Sequence, residues 1–377
     1  MKLFAAGLAM VAMAACTPAS QHASVSSPSP SPASPSGSPV TDLPLSKAVF
    51  TCRLPITKSL SGGDYASYEG GFITFPEATY QKDPGGAIHS EYLAQDFATA
   101  AAPQLHGAAQ SGAPFYDLAM KRWVPVGAGQ ASPDGGSYAY GLYRGPDPNA
   151  PFVIHVVDIK TGTDRGFTIP ITPDFGTADG AWVGDFDGAS VFFSSIQRMG
   201  PPQGVWRLDV ATGAVHELRM LYGVAAIEGG SAWVNRIDPR DPEGPQTGRS
   251  GPRSNSIVRV DLASGQEMIW AFAAGHQVSL FGVDRLGAPI ISDAPPPDFT
   301  PATLRLVSKP ESDGITIYDG KGGLVFFTLQ SDVQGRLWLG NDRGIYAYTP
   351  AVGLRKVFAY MHDPVEAAAM APGGFCI

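Results

Sequence analysis

The sequence is 377 residues long and rich in residues that interrupt regular structure, with 45 glycines and 34 prolines. Only 16% of its residues are charged, below the ~25% usual for soluble proteins, and long surface helices need such residues. The formal net charge of −8 argues against non-specific nucleic-acid binding, which needs a basic surface. These values disfavour a mainly helical protein and a nucleic-acid-binding protein, and the length fits two domains or one large all-β domain.

The first 15 residues are typical of a signal peptide. Lys2 precedes an apolar run from 3 to 15, which is too short to span a bilayer. The run ends in Met-Ala-Ala-Cys at 13–16, which resembles a bacterial lipobox with Met13 in place of the usual leucine. The resemblance implies that acyl chains on Cys16 anchor the exported chain to the outer face of a bacterial membrane. An ordinary secretory signal is the alternative.

Residues 17–40 consist almost entirely of serine, proline and alanine. Such a segment cannot bury enough apolar surface to offset the entropy lost on ordering, and its prolines favour an extended spacer. We therefore predict three parts: a signal peptide at 1–15, a lipidated cysteine with a disordered tether at 16–47, and a folded domain at 48–377.

Two cysteines remain in the folded part, Cys52 near its start and Cys376 at the penultimate position. In an exported protein an isolated pair predicts a disulfide. The bridge would close a loop of more than 300 residues, which the chain-entropy relation scores at roughly 5 kcal/mol. Two free thiols are the alternative.

The folded part contains a repeated turn, Asp-x-x-(Thr/Ser)-Gly, flanked by apolar strands. Copies begin at Asp158, Asp209 and Asp261, and looser copies lie at 116–121 and 348–353. Asp and Gly suit a tight hairpin, because Gly accepts positive φ and Asp bonds its own backbone.

A second pattern alternates with the first: a glycine turn followed by a strand of aromatic and branched residues. Its copies lie at 132–140, 187–193, 228–234, 284–291, 332–339 and, weakly, 372–376. Counting the stretch at 70–75 as a copy gives seven.

Four-stranded repeats of ~40–50 residues are typical of β-propellers. We predict an all-β fold, a seven-bladed β-propeller, with six blades as the alternative and paired β-sandwiches as the third choice. A strand at 49–54 would supply the missing outer strand and pair with the last strands near 367–377. This closure would place Cys52 beside Cys376.

Two stretches also resemble known propellers. Residues 131–140 resemble the repeat of TolB-type and WD-like bacterial propellers, and residues 330–346 are similar to a blade of the periplasmic sensor propellers of two-component regulators. Each resemblance covers one blade and implies the fold, not an activity.

In a propeller, the short turns found here lie on one face. The long segments at 76–114, 195–204, 235–256 and 292–303 would follow the second strands and meet on the other face. Loops on a rigid scaffold are where binding residues concentrate. We therefore expect the binding site on this loop-rich face.

Charged and polar residues of these loops and of the connections between blades are the candidate ligand contacts. Arg198 could contact an anion, the 235–241 stretch could bind a polar ligand, and the adjacent His362 and Asp363 could act in acid–base chemistry. The full set of candidates is Arg198, Asn235, Arg236, Asp238, His276, Asp293, His362 and Asp363. Solvated loops with local ion pairs are the alternative.

Familiar motifs for nucleophilic catalysis, zinc, phosphate and calcium sites are missing from the sequence, so no catalytic residue, metal or cofactor is predicted. The first hypothesis is a membrane-tethered binding module for a protein, a peptide or a cell-wall glycan. The second is a propeller hydrolase or lyase with acid–base residues at the channel mouth. The third is an assembly scaffold.

Overall fold

The computed structural model describes residues 41–60, 65–86, 88–91, 98–99, 113–141, 151–170, 180–197, 200–244, 253–296, 302–360 and 370–377. Within these ranges the chain forms β-strands and two short 3₁₀ helices, Pro84–Gly86 and Ala128–Gln130, and no α-helix. In the same ranges, no helix has the length and hydropathy needed to cross a membrane. The predicted signal peptide, Cys16 and the tether up to residue 40 lie outside the described residues.

The described residues form 27 strands. In chain order they are β1 (Cys52–Leu60), β2 (Tyr65–Phe75), β3 (Thr79–Lys82), β4 (Ile88–Glu91), β5 (Ala98–Thr99), β6 (Phe115–Asp117), β7 (Arg122–Val124), β8 (Ser137–Gly141), β9 (Phe152–Asp158), β10 (Asp164–Ile169), β11 (Gly180–Phe186), β12 (Ser190–Gln197), β13 (Gly200–Asp209), β14 (Val215–Tyr222), β15 (Val224–Glu228), β16 (Ser231–Arg236), β17 (Ser256–Asp261), β18 (Glu267–Phe272), β19 (Gln277–Val283), β20 (Pro289–Ala294), β21 (Thr303–Leu306), β22 (Ile315–Tyr318), β23 (Thr328–Ser331), β24 (Leu337–Asn341), β25 (Gly344–Thr349), β26 (Gly353–Ala359) and β27 (Met370–Pro372).

These strands form seven antiparallel sheets, numbered here in chain order. Sheet 1 has the order β27-β1-β2-β4-β5 with β3 also on β2, sheet 2 is the β6–β7 hairpin, and sheet 3 is β8-β9-β10. Sheets 4 to 7 are four-stranded meanders, β11 to β14, β15 to β18, β19 to β22 and β23 to β26. The prediction of an all-β fold is therefore confirmed, and the meander is the strand order of a propeller blade.

The Asp-x-x-(Thr/Ser)-Gly turns form tight hairpins, as predicted, and join the last two strands of sheets 3, 4 and 5. In the copy between β9 and β10, Asp158 Oδ1 accepts hydrogen bonds from the backbone N–H of Thr161 at 2.7 Å and from its hydroxyl at 2.8 Å. Asp209 and Asp261 make the same two bonds in sheets 4 and 5. The carboxylate therefore fixes the turn in each copy.

Five copies of the second pattern lead into a strand, as predicted. Four of these strands are the second strand of their sheet, whereas the copy at 132–140 leads into β8, the first strand of sheet 3. The stretch at 70–75 differs, because it lies inside β2 rather than after a turn. Side chains at Gly70 and Gly71 would overlap Trp123 and Tyr80, so close packing against these two rings explains the glycines.

Sheet 1 joins the two ends of the domain and brings Cys52 beside Cys376, as predicted, but the order of its strands differs from the prediction. The C-terminal strand β27 forms the sheet edge and pairs with β1 from Ile56 to Lys58, so β1 is the second strand and not the outer one. Beyond β27, Arg53 and Ile377 exchange backbone hydrogen bonds of 2.7 and 3.0 Å. Cys52 and Cys376 are disulfide-bonded there, with Cα atoms 5.6 Å apart. The bridge stands where the other meanders have their first turn.

The folded domain begins earlier than residue 48, the predicted boundary. Leu45 forms a parallel bridge with Lys356 on β26, and Ser46 donates its N–H to the Lys356 carbonyl at 2.8 Å. Asp42 accepts a hydrogen bond from Tyr346 at 2.7 Å and pairs with the Lys356 ammonium. Residues 41–50, called the strap below, therefore lie along the outer strand of sheet 7.

Within the described residues, the core consists of six apolar clusters between successive sheets. They link sheet 3 with 4, 4 with 5, 5 with 6, 6 with 7 and 7 with 1, and the sixth joins sheets 1, 2 and 3. Trp233, Trp338 and Tyr346 are among the largest buried side chains. The series of apolar contacts thus starts and ends at sheet 1.

Candidate functional site

Two of the four long segments predicted for the loop-rich face lie where expected. Residues 235–256 and 292–303 join the second and third strands of sheets 5 and 6. The segment at 195–204 is mostly strand, within β12 and β13. The segment at 76–114 follows β2, which is the third strand of its sheet. Of the four predicted segments, those of sheets 5 and 6 therefore follow a second strand as connections between strands.

One buried asparagine holds the connection after β16. Asn255 accepts a hydrogen bond from the Asp238 N–H at 2.7 Å and donates to the Asp241 carbonyl at 3.0 Å. Asp241 in turn accepts the Gly275 N–H at 2.8 Å, which ties this connection to the one before β19. The backbone near the site is thus positioned by side chains from neighbouring connections.

Asp238, a predicted ligand contact, is only 2% exposed. It pairs with Arg240 at 2.9 Å, and Arg240 also reaches Glu311 at 2.8 Å and lies over the Phe272 ring. Hydrogen bonds from Arg240 outweigh the cost of burial and hold the pKa of Asp238 below its ordinary value. Asp238 therefore braces the connection, and its burial keeps it from meeting a ligand in solution.

Asn235 and Arg236 lie at the end of β16 and serve different purposes. Asn235 Oδ1 accepts the Leu280 N–H at 2.9 Å, which ties sheet 5 to sheet 6. Arg236 makes a two-pronged ion pair with Glu267, with N–O distances of 2.5 and 2.9 Å. The same hydrogen bonds lower the pKa of Glu267, so this pair stays charged at neutral pH.

Both residues line a cleft of about 790 Å³ at the ends of sheets 4, 5 and 6. Its lining residues are Met220, Leu221, Tyr222, Gly223, Val224, Asn235, Arg236, Ile237, Arg253, Ser254, Glu267, Gln277 and Ser279. Met220 is 50% and Tyr222 65% exposed, although both are large apolar side chains. We call this feature the sheet 4–6 cleft. It combines an exposed aromatic and a thioether with fixed polar groups, the usual make-up of a ligand site.

A histidine–carboxylate pair stands beside the cleft. His276, next to the lining residue Gln277, has its Nδ1 2.7 Å from Asp293 Oδ1. The other oxygen of Asp293 accepts a hydrogen bond from Arg305 at 2.6 Å. Two sequence-predicted residues therefore meet, and the carboxylate fixes the ring orientation of a half-exposed histidine.

The remaining predicted site residues, Arg198, His362 and Asp363, lie outside the described residues. Within the described ranges, no group of three or more His, Cys, Asp or Glu side chains could hold a metal ion. The site therefore rests on Asn235, Arg236, His276 and their neighbours.

Sequence reasoning missed Met220, Tyr222 and Glu267. One local signal was present: Met-Leu-Tyr at 220–222 puts three apolar residues in a row in a strand, where alternation can bury only one face. Glu267 had no such signal, because its partner Arg236 is 31 residues away in the chain.

No family model matches the sequence, and no curated protein does. Among solved structures, the β-propeller domain of the Trilobed protease from Pyrococcus furiosus is 12% identical with a TM-score of 0.45, covering 82% of this chain and 86% of that one. TolB from Acinetobacter baumannii is 16% identical with a TM-score of 0.32, covering 70% and 65%. A post-proline cleaving enzyme from Rickettsia typhi is 8% identical with a TM-score of 0.47, and this chain spans 53% of it. The structural neighbours thus include propeller domains, all distant.

Proposed function

We propose that the chain is an exported, membrane-tethered β-propeller that binds a ligand in the sheet 4–6 cleft. The observation that carries the proposal is the exposure of Tyr222 and Met220 in a cleft with an oriented Arg236–Glu267 pair. Exposed apolar side chains on a monomer are unremarkable singly, but together in a polar-rimmed cleft they mark a binding site. The ligand of this proposal is a protein, a peptide or a cell-wall glycan.

The proposed scaffold has seven blades. Seven hairpins within the described residues occupy the position between third and fourth strands or carry its turn pattern, from β2–β3 to β25–β26. Sheet 2 is then a blade represented by its outer hairpin. The six-bladed alternative treats sheet 2 as a wedge, and the six apolar clusters favour it. Both place the cleft at the same ends of sheets 4 to 6.

Export and anchoring through Cys16 form part of the proposal. The support is the Cys52–Cys376 disulfide, because such bridges persist in oxidising compartments and are rare in the cytosol. Labelling cells with a palmitate analogue tests the anchor. The wild-type chain should be labelled and Cys16→Ser should not, whereas equal labelling would overturn the anchoring.

A thermal-shift panel of soluble oligosaccharides and peptides on the full chain tests the binding role. A ligand at a hundred times its Kd stabilises the folded state by ~2.7 kcal/mol, which is a measurable rise in Tm. We expect one class to raise the Tm of the wild-type chain and of Leu286→Ala, whose exposed side chain lies outside the cleft. The same ligand should not raise the Tm of Tyr222→Ala. If no class acts, or if Tyr222→Ala responds like the wild type, the cleft is not the binding site.

The His276–Asp293 pair favours a second candidate, a hydrolase or lyase acting on a ligand in the cleft. When the Asp293 carboxylate accepts a hydrogen bond from the Nδ1–H of His276, the lone pair of the ring is on Nε2. A general base needs such a lone pair to take up a proton. Mass spectrometry of the panel after incubation would detect cleavage products. Products that form with the wild type and are lost in His276→Asn would establish the enzyme; no products would leave binding alone.

A further inference from the structure

The polar wall of the sheet 4–6 cleft offers both hydrogen-bond donors and acceptors. A guanidinium carries five N–H groups. Each terminal nitrogen of Arg236 donates one hydrogen bond to Glu267. Each oxygen of Glu267 has a further lone pair. Ser254 donates its hydroxyl to the Val278 carbonyl at 2.7 Å, which leaves its oxygen as an acceptor. Such a wall suits groups that donate and accept at once, as hydroxyls do.

The wall is also held in place before any ligand arrives. Arg236 is fixed by the two-pronged pair with Glu267, and the Arg253 guanidinium donates to the Gln277 side-chain oxygen. Because these groups already have partners, a ligand need not order them, and less entropy is lost on binding. The paired charges of Arg236 and Glu267 also cancel, so this part of the wall does not select for a charged ligand.

The same lining includes Tyr222 and Met220, which provide an exposed apolar surface from β14. A pyranose ring has the same two-sided character, because its axial C–H groups form an apolar face and its hydroxyls point around the edge. An extended peptide is usually recognised differently, by backbone hydrogen bonds along a strand edge. The polar wall described above consists of side chains.

From this juxtaposition we infer that the sheet 4–6 cleft takes a short, uncharged oligosaccharide, with one sugar ring against Tyr222 and its hydroxyls bonded to the Arg236–Glu267 pair. This inference rests on the proposed binding function and narrows its ligand to one class. It assigns Tyr222 the role of stacking platform and Glu267 that of hydroxyl acceptor.

Isothermal titration calorimetry of the full chain tests the inference. The probes are a β-1,4-linked N-acetylglucosamine tetramer, a glucose tetramer with the same linkage, and an uncharged, end-capped hexapeptide of alanine, valine and tyrosine. We expect one of the two sugars to bind. Tyr222→Ala should weaken that binding by about tenfold or more, the effect of losing an aromatic anchor, whereas Tyr222→Phe should keep most of it. Leu286→Ala is the matched control outside the cleft and should bind as the wild type does.

A second variant guards against a folding artefact. Glu267→Gln keeps the size of the side chain, so near-ultraviolet circular dichroism should match the wild type while sugar affinity falls. If the peptide binds in a Tyr222-dependent manner and neither sugar does, the sugar class is wrong although the binding site stands. If neither sugar nor peptide binds in a Tyr222-dependent manner, the inference and the proposed function both fail.

Discussion

Single buried polar side chains hold the backbone conformation around the candidate site. Asn255 is fully buried and bonds to Asp238 and Asp241, so one amide fixes a connection that no regular strand supports. A buried polar group without a hydrogen-bond partner lowers stability, so removing one side chain leaves its former partners unpaired at a cost in free energy. The precision of the cleft wall therefore depends on residues that do not line it.

We expect Asn255→Ala to lower the free energy of unfolding by about 1–3 kcal/mol, because the Asp238 N–H and the Asp241 carbonyl lose their partner. Urea unfolding measures the change. Ser312→Ala is the control, since that exposed hydroxyl bonds only within its own turn and should cost almost nothing. An equal effect of the two substitutions would show that Asn255 does not hold the connection.

Asp42 makes the strap sensitive to acid. Burial acts to raise the pKa of its carboxyl, but hydrogen bonds from Lys356 and Tyr346 outweigh this and hold the pKa below its ordinary value of 3.8. The folded state therefore binds the proton less well than the unfolded chain does. The stabilisation is full above the ordinary pKa and is lost as the pH falls through the lowered one.

Asp42→Asn should accordingly lower the Tm at pH 7. The difference in Tm between this variant and the wild type should become smaller as the pH falls below 4, and scanning calorimetry measures it. Asp319→Asn removes an exposed partner of Lys321 and should change the Tm little at either pH. A constant gap between Asp42→Asn and wild type across this range would contradict the assigned ion pair.

At the level of the elements, glycines set how closely one sheet approaches the next. A methyl group on Gly340 of β24 would overlap the carbonyl oxygen of Met370 in β27, and one on Gly141 of β8 would overlap that of Ala181 in β11. Both obstacles are backbone atoms, which cannot rotate away. The spacing between sheets thus depends on the absence of a side chain at these points.

We expect Gly340→Ala to destabilise the domain by about 1–3 kcal/mol through overpacking, seen as a lower urea midpoint. Gly166→Ala is the matched control, because it also lies in a strand and its methyl would meet side-chain atoms, Val153 at 3.3 Å and His155 at 3.9 Å, rather than backbone. Equal stability of the two variants would mean that sheets 7 and 1 can move apart at no cost.

The whole molecule is held at sheet 1, where only three residue pairs join β27 to β1. The disulfide links residues 324 positions apart, so it removes a large amount of freedom from the unfolded chain. Replacing both cysteines with serine should lower the free energy of unfolding by about 2–5 kcal/mol. Reductant should lower the midpoint of the wild type and leave that of the double variant unchanged. A wild-type midpoint insensitive to reductant would contradict this account.

Much of the fold could be predicted because its signals are local. The turns at Asp158, Asp209 and Asp261 are held by hydrogen bonds within five residues. The spacing between these turns predicted the four-stranded repeats. The place of β1 within sheet 1 could not be read this way, since it depends on pairing with a strand over 300 residues away. The Arg236–Glu267 pair could not be predicted either, because its two residues are also distant in the chain. His276 and Asp293 could be predicted as site residues because they are polar residues in predicted connections.

A protein usually begins to come apart at its ends, because terminal segments have the fewest neighbours. Here the bond between Cys52 and Cys376 closes residues 52–376, which include every strand, into a covalent circle, whereas the strap lies outside it. Fraying cannot spread into the sheets from either terminus. Opening must then begin within the connections, and amide hydrogens of β1 and β27 should exchange as slowly as those of central strands.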